Sequence, residues 1–125
     1  TIDQLDTNDP SQLSISIHLK NSLDALNSAV AWMIETFPKQ PGKAAAGATS
    51  FLEMMGLISG GWMLARGVIE ADMQLKNKQG DKKFLNSKIT TAQYFSQAFL
   101  SRAPSLLYPI TDCGDCVMEF EASNF

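Results

Sequence analysis

The sequence predicts an all-α fold, an antiparallel helical bundle of three long helices plus a short C-terminal segment. Apolar residues recur at helical spacing almost throughout, whereas two-residue alternation appears only in "LSISI" at Leu13 to Ile17. Breaker-rich connections, "FPKQPGK" and "KNKQGD", separate three apolar stretches. At 1.5 Å per residue, Pro10 to Phe37, Ser50 to Asn77 and Lys82 to Tyr108 are each about 42 Å long. Matched rods joined by short connections pack up and down against one another.

The first helix has a legible start. Asp9 is placed to be its N-cap, Pro10 its first residue, and Gln12 the third position of a capping box in which a carboxamide replaces the usual Glu. Its apolar stripe runs Ile15, Leu19, Leu23, Leu26, Val30, Met33, Phe37. Pro38 biases Phe37 away from helical dihedrals, and Pro41-Gly42 completes the break.

Ser50 followed by Glu53 reads as another capping box, so the second helix is expected to begin there, with "AAAGAT" as a short approach. Its uncharged stretch then shrinks to Phe51 through Ala65 with Glu53 inside it, short of the ~20 residues that cross a bilayer, and no membrane span is expected. The rows down this helix are apolar or small on nearly every side, which describes a helix buried at the centre of a bundle. Gly56, Gly60 and Gly67 fall close to one line. Each costs about 1 kcal/mol against Ala, a loss kept where a neighbouring backbone comes close. The expectation is therefore a helix surrounded by other helices.

Asp81 caps the third helix, with the stripe Leu85, Ile89, Ala92, Phe99, Ala103 and with Phe84 and Phe95 flanking it. Pro104 kinks or ends it, and "SLLYPI" adds at most two turns before Pro109. Three helices do not suffice to cover a central helix that is apolar all round. Either the segment after Pro104 folds back as a fourth, or one face docks on something outside the chain; the second is favoured, with the first contributing.

At 125 residues and 45% hydrophobic, the chain suits one domain. Residues 10–110 are expected to form it, with 1–9 as a linker and 111–125 as a tail. Ten basic residues against 13 acidic ones, unclustered, give a net charge of -3, which excludes nucleic acid as a partner class. The chain opens with Thr1 and a polar run, so no signal peptide is visible and the start is either processed or internal to something longer. Cys113 and Cys116 lie too near the end to staple the fold, and a cytoplasmic location is the default.

Few residues could carry chemistry. The C-x-x-C in "DCGDC" lacks a strand before it, and acidic neighbours raise thiol pKa values rather than activate thiols. A zinc site would need two more ligands, and the single His18 lies far away in sequence. Arg66 and Glu70 form an ordinary i, i+4 pair; a sharper reading pairs the guanidinium with Glu35 or with a carboxylate on a partner domain. No catalytic, cofactor-binding or metal residue is expected. The structural or interdomain candidates are Arg66, Trp62, Gly56, Gly60 and Gly67.

"AGATSFLEMMGLISGGWMLAR" (Ala46 to Arg66) and "FLNSKITTAQYFSQAFLSRAPSL" (Phe84 to Leu106) resemble the C-terminal helical domain of one branch of the acyl-CoA dehydrogenases, which includes enzymes similar to 3-methylmercaptopropionyl-CoA dehydrogenase. The match rests on Ala48, Thr49, Phe51, Leu52, Gly56, Gly61, Trp62, Ala65 and Arg66, and covers roughly residues 10 to 110. The resemblance implies a larger flavoenzyme that oxidises acyl-CoA thioesters to 2-enoyl-CoA. In such enzymes a glutamate takes the α-proton, the β-hydride passes to FAD, and the electrons pass to an electron-transfer flavoprotein. Those functions belong to upstream core domains, so the resemblance implies FAD for the parent chain, none for this piece, and a packing role against the core or at the subunit interface of a homo-oligomer. An independent helical interaction module and a small acyl- or lipid-binding bundle are the alternatives.

Overall fold

In the computed structural model, which describes residues 1–120, every regular element is helical. The first long helix, α1 (Pro10–Thr36), starts where its cap residues place it. The Asp9 carboxylate accepts from the Ser11 N–H at 2.9 Å and from the Ser11 hydroxyl at 2.7 Å. Gln12 does not complete the capping box, because the Asp9 N–H already donates to the Asp6 carbonyl at 3.2 Å. The Gln12 carboxamide oxygen instead takes the Asp6 N–H at 2.8 Å, and this ties down the N-terminal segment, whose Leu5 joins the core.

α1 ends at Thr36, where the breaker run predicts, but its C-cap Phe37 keeps helical dihedrals (φ -56, ψ -44) despite Pro38 and donates its N–H to the Met33 carbonyl. Ile15 and Leu19 of the expected stripe are buried, whereas Val30 and Phe37 at its far end are exposed.

The next element also corrects the sequence reading. A short helix α2 (Pro41–Ala46) is followed after one residue by α3 (Ala48–Lys76), so Ser50 lies inside a helix and Ser50–Glu53 is not its cap. Gly47 occupies the cap position without any side-chain hydrogen bond, and packing explains why. A Cβ at Gly47 would lie 2.8 Å from the Ile110 carbonyl oxygen, so the turn is set by a close backbone approach rather than by a capping side chain.

The inward face of α3 is Met54, Ile58, Gly61, Ala65, Val68 and Ala71, spaced three and four apart. It packs against α1, against α4 (Lys82–Ala98) and against a 3-10 stretch, Leu100–Leu106. Asp81 caps α4 as expected, accepting from the Lys83 N–H at 3.0 Å. The third rod is shorter than the matched lengths required: α4 has 17 residues against 27 and 29 for α1 and α3. Beyond Phe99 the chain tightens into the 3-10 stretch containing Pro104, which buries Leu100 and Ala103. It then folds back through α5 (Leu107–Thr111), whose Ile110 is fully buried, and α6 (Gly114–Met118), which lies on α2. Gly114 packs against Lys43, and Lys43 Nζ meets Asp115 at 3.0 Å. Residues 121–125, the end of the expected tail, lie outside the described residues. Among the described residues no helix is long and apolar enough to cross a membrane.

The Ser11 side-chain hydrogen bond, ahead of the backbone N–H bonds, holds the Asp9 carboxyl below its ordinary value of 3.8. A depressed carboxyl pKa stabilises the fold fully above the unfolded value and loses that contribution as pH falls through the lower folded value. Asp9→Ala should therefore cost about 1 kcal/mol at neutral pH, by urea midpoint, with a gap to the parent that narrows in acid. The two glycine environments differ in sign. Gly47→Ala, against a fixed carbonyl, should cost about 1 to 3 kcal/mol; Gly56→Ala, with nothing within 4 Å of its new methyl, should gain up to about 1 kcal/mol in the isolated domain, both read by thermal unfolding.

Candidate functional site

The second long helix is not apolar on a buried surface all round. One row of α3 points away from the bundle: Leu52 is 73% exposed and Met63 59% exposed, with Gly56 exposed and Gly67 half-buried between and beyond them. The sequence could not separate this row from the inward one, since both read as apolar and small. Within the described residues nothing lies within 4 Å of a Cβ at Gly56 or Gly67, so the close backbone approach expected at this row is not made inside the chain. Gly60 lies nearer the bundle, with Phe95 Cζ at 3.2 Å from its would-be Cβ. The glycine that accepts a tight neighbour is Gly61, where Leu100 Cδ2 would lie 2.8 Å away.

The outward row borders a shallow groove of about 280 Å³ between α3 and α4, lined by Met63, Leu64, Gly67, Phe84, Ser87 and Lys88 among others. Phe84 is exposed, and the Lys88 ammonium stands 5.3 Å over its ring. The result is an apolar strip with a cation at its edge. A flexible Lys on an exposed ring adds about 0.5 to 1 kcal/mol at most, so the strip remains available for a partner.

On the other side of α3, Trp62 and Arg66 form a second feature. The guanidinium of Arg66 lies 5.4 Å from the centre of the Trp62 ring, one turn earlier on the same helix. Of the carboxylate pairings expected for Arg66, those with Glu70 and Glu35 are not formed: the ion pairs among the described residues are Lys43–Asp115 and Lys76–Asp72, and Glu70 accepts instead from Gln74 Nε2 at 2.8 Å. Antiparallel packing explains the absence of Glu35. Trp62 shares a groove with Ser16 and Lys20 of α1, and Glu35 stands about four helical turns farther along that helix. The Trp62 indole N–H donates to the Thr1 hydroxyl oxygen at 2.9 Å, a contact across 61 residues that no local sequence signal discloses.

That groove, about 1010 Å³ and open to solvent, runs between the N-terminal segment, α1 and α3. The half-buried Ile2 and Leu23 and the buried Leu5, Leu19 and Ile58 line its apolar part, and Asp3, Ser16, Lys20 and Ser59 contribute polar groups. His18 lies half-buried on α1, and the free thiols of Cys113 and Cys116 lie half-buried and exposed. The described residues contain no group of three or more His, Cys, Asp or Glu side chains placed to hold a metal ion. Gln12 was read as a cap residue only, yet its amide nitrogen is the one buried side-chain polar atom without a hydrogen-bond partner among the described residues.

Because Leu52 and Met63 of the outward row are largely exposed, charge should be tolerated there. Met63→Lys should leave the stability of the isolated domain within about 0.5 kcal/mol, by chemical unfolding. A larger loss would mean that Met63 contributes to packing in the bundle.

Comparison with known proteins places these surfaces in context. The family described as acetyl-CoA dehydrogenase C-terminal like matches residues 8–121. The chain is 32% identical over 104 residues to a 3-methylmercaptopropionyl-CoA dehydrogenase of Ruegeria pomeroyi, a match that takes in 83% of this chain and 18% of that enzyme. The chain thus spans less than a fifth of its relative's length. No solved structure gives a significant match.

Proposed function

The chain belongs to the acetyl-CoA dehydrogenase C-terminal-like family, and from that premise we propose that it is the non-catalytic C-terminal domain of a flavin-dependent acyl-CoA dehydrogenase, with a packing role. The parent chain, on this reading, oxidises acyl-CoA thioesters to 2-enoyl-CoA. The observation that carries the packing role is the outward row of α3, Leu52, Gly56, Met63 and Gly67, continued across the α3–α4 groove by Phe84. Exposed apolar side chains interleaved with glycines suit a body that approaches the helix backbone closely, and the upstream core of the same chain or a second subunit of a homo-oligomer is such a body.

Neither of the two grooves described above fits a flavin. The groove beside Trp62 and the α3–α4 groove each present a single cation, Lys20 and Lys88, without the convergent N–H donors that a pyrophosphate or a flavin ring needs. The proposal accordingly places FAD and the proton-abstracting base outside this domain, and assigns the domain no catalytic residue. Its contribution would be to cover apolar surface and fix the geometry of the assembly.

The test is made on the whole gene product. Its visible absorbance should show a bound flavin that acyl-CoA esters bleach. In that same protein the pair Leu52→Lys and Met63→Lys should weaken core or subunit association, read by sedimentation and by flavin retention, at unchanged folding of the domain. A colourless product that acyl-CoA leaves unchanged overturns the enzyme reading. A bleachable flavoprotein whose assembly ignores both charges overturns the packing role of this face.

A further inference from the structure

The groove beside Trp62 has an occupant that the family membership brings within reach. The match takes in 18% of the relative, and on the reading proposed above the remainder of a parent chain leads into this domain at Thr1. Thr1 is itself part of the groove wall. We propose that the groove between α1 and α3 seats the segment of the parent chain immediately before Thr1, and that Trp62 clamps it; this rests on the reading of the chain as the end of a longer dehydrogenase.

Three features carry the assignment. First, the hydrogen bond from Trp62 Nε1 to Thr1 Oγ1, at 2.9 Å, fixes where the preceding residues emerge: beside the middle of α3, at the groove rather than at an end of the bundle. The Asp6 N–H on Gln12 and the buried side chain of Leu5 hold the following residues, so the point of emergence is set by the core and not by a loose leader. Second, the groove has the chemistry of a site for extended chain. The half-buried Ile2 and Leu23 offer apolar surface to side chains on one side of a strand-like segment, while the Ser16 and Ser59 hydroxyls, which make no hydrogen bond among the described residues, stand ready for its backbone groups. Third, Trp62 is 43% exposed, and one face of its ring is already covered by Arg66, which holds the indole in place over the groove. A large, rigid, half-exposed indole with its N–H engaged at one end is suited to close over a neighbouring segment at little entropic cost.

Two consequences separate this assignment from the outward face of α3. The groove lies on the α1 side of α3, and Met63 and Phe84 line the separate groove on its α4 side. The domain would then be held to its parent twice, by a local seat for the connecting segment and by a broad apolar face. The first restricts the orientations in which the second can dock.

The experiment is hydrogen exchange on the whole gene product, followed by mass spectrometry of the peptides that span the junction before Thr1. The expected result is protection of that junction in the parent and exchange faster by at least about tenfold in Trp62→Ala, with α1 and α3 unchanged. A second variant guards against loss of the fold: Ser59→Cys, paired with a cysteine placed two to four residues before Thr1, should form a disulfide under oxidised glutathione and give the expected loss of two hydrogens in mass. A junction that exchanges equally fast in parent and Trp62→Ala, with no cross-link, overturns the seat while leaving a bleachable flavin, and hence the dehydrogenase reading, intact. A gene product without a preceding segment overturns both.

Discussion

The seating of Leu100 on Gly61 is the contact on which the rest of the bundle depends. Leu100 is fully buried, its methyl groups occupy the space that any side chain at position 61 would need, and its carbonyl oxygen takes the Ser22 hydroxyl at 3.2 Å. One residue therefore joins α3, α1 and the end of α4. To bring Leu100 there, α4 stops at Ala98 and the chain tightens into a 3-10 stretch, a geometry that shortens the third rod but turns Ala103 and then Ile110 into the core. Ile110 in turn presses its carbonyl against Gly47 and so fixes the turn between α2 and α3. The two glycines in close contact, Gly47 and Gly61, are thus linked by the same stretch of chain.

This arrangement covers only one side of α3. Its inward row is close-packed by α1, α4 and the 3-10 stretch; among the described residues α5 packs on α1, α3 and the 3-10 stretch and α6 on α2, and Leu52 and Met63 of the outward row stay exposed. Full burial of a Leu or Met side chain contributes roughly 1.5 to 3 kcal/mol, and at Leu52 and Met63 most of that remains unrealised within the chain. The glycines add to the imbalance. Gly56 and Gly67 carry the helix-propensity penalty without any tight neighbour to offset it.

How much of this was legible in the sequence depended on whether a signal was local. The start of α1 was, because Asp9 and Pro10 act over three residues; so were the Asp81 cap and the all-helical class, which follow from caps and periodicity. The start of α3 was not. Ser50 and Glu53 have capping-box spacing, but the helix begins two residues earlier because Gly47 fits under a carbonyl 63 residues away. The division of α3 into an inward and an outward row was hidden for the same reason: Met54 and Met63 are alike in sequence, and only the number of helices available decides which is covered. Of the candidate residues, Trp62 and Arg66 do come together, through a cation–π contact, because a Trp one turn away is within reach whereas Glu35 is on a distant turn of α1. Gly61 was readable as a small residue in the motif but not as the one that matters most for packing.

The shape of the uncovered surface also discriminates among the kinds of partner it could receive. From Leu52 to Gly67 the outward row extends about 22 Å along the helix, too long and too flat for a small molecule to span. The adjoining α3–α4 groove is only about 280 Å³ and lies at the surface, whereas sites for small ligands enclose most of their occupant, so an acyl chain would remain largely in water there. A rigid surface meets both requirements. Side chains at Leu52 and Met63 would fill recesses in a partner, and the bare backbone at Gly56 and Gly67 would admit projections from it, which is the interdigitation that packed domains achieve and that a flexible tail or a free lipid cannot maintain along several turns. For this face of α3, docking against a folded body gives a reason for both the exposed side chains and the glycines between them.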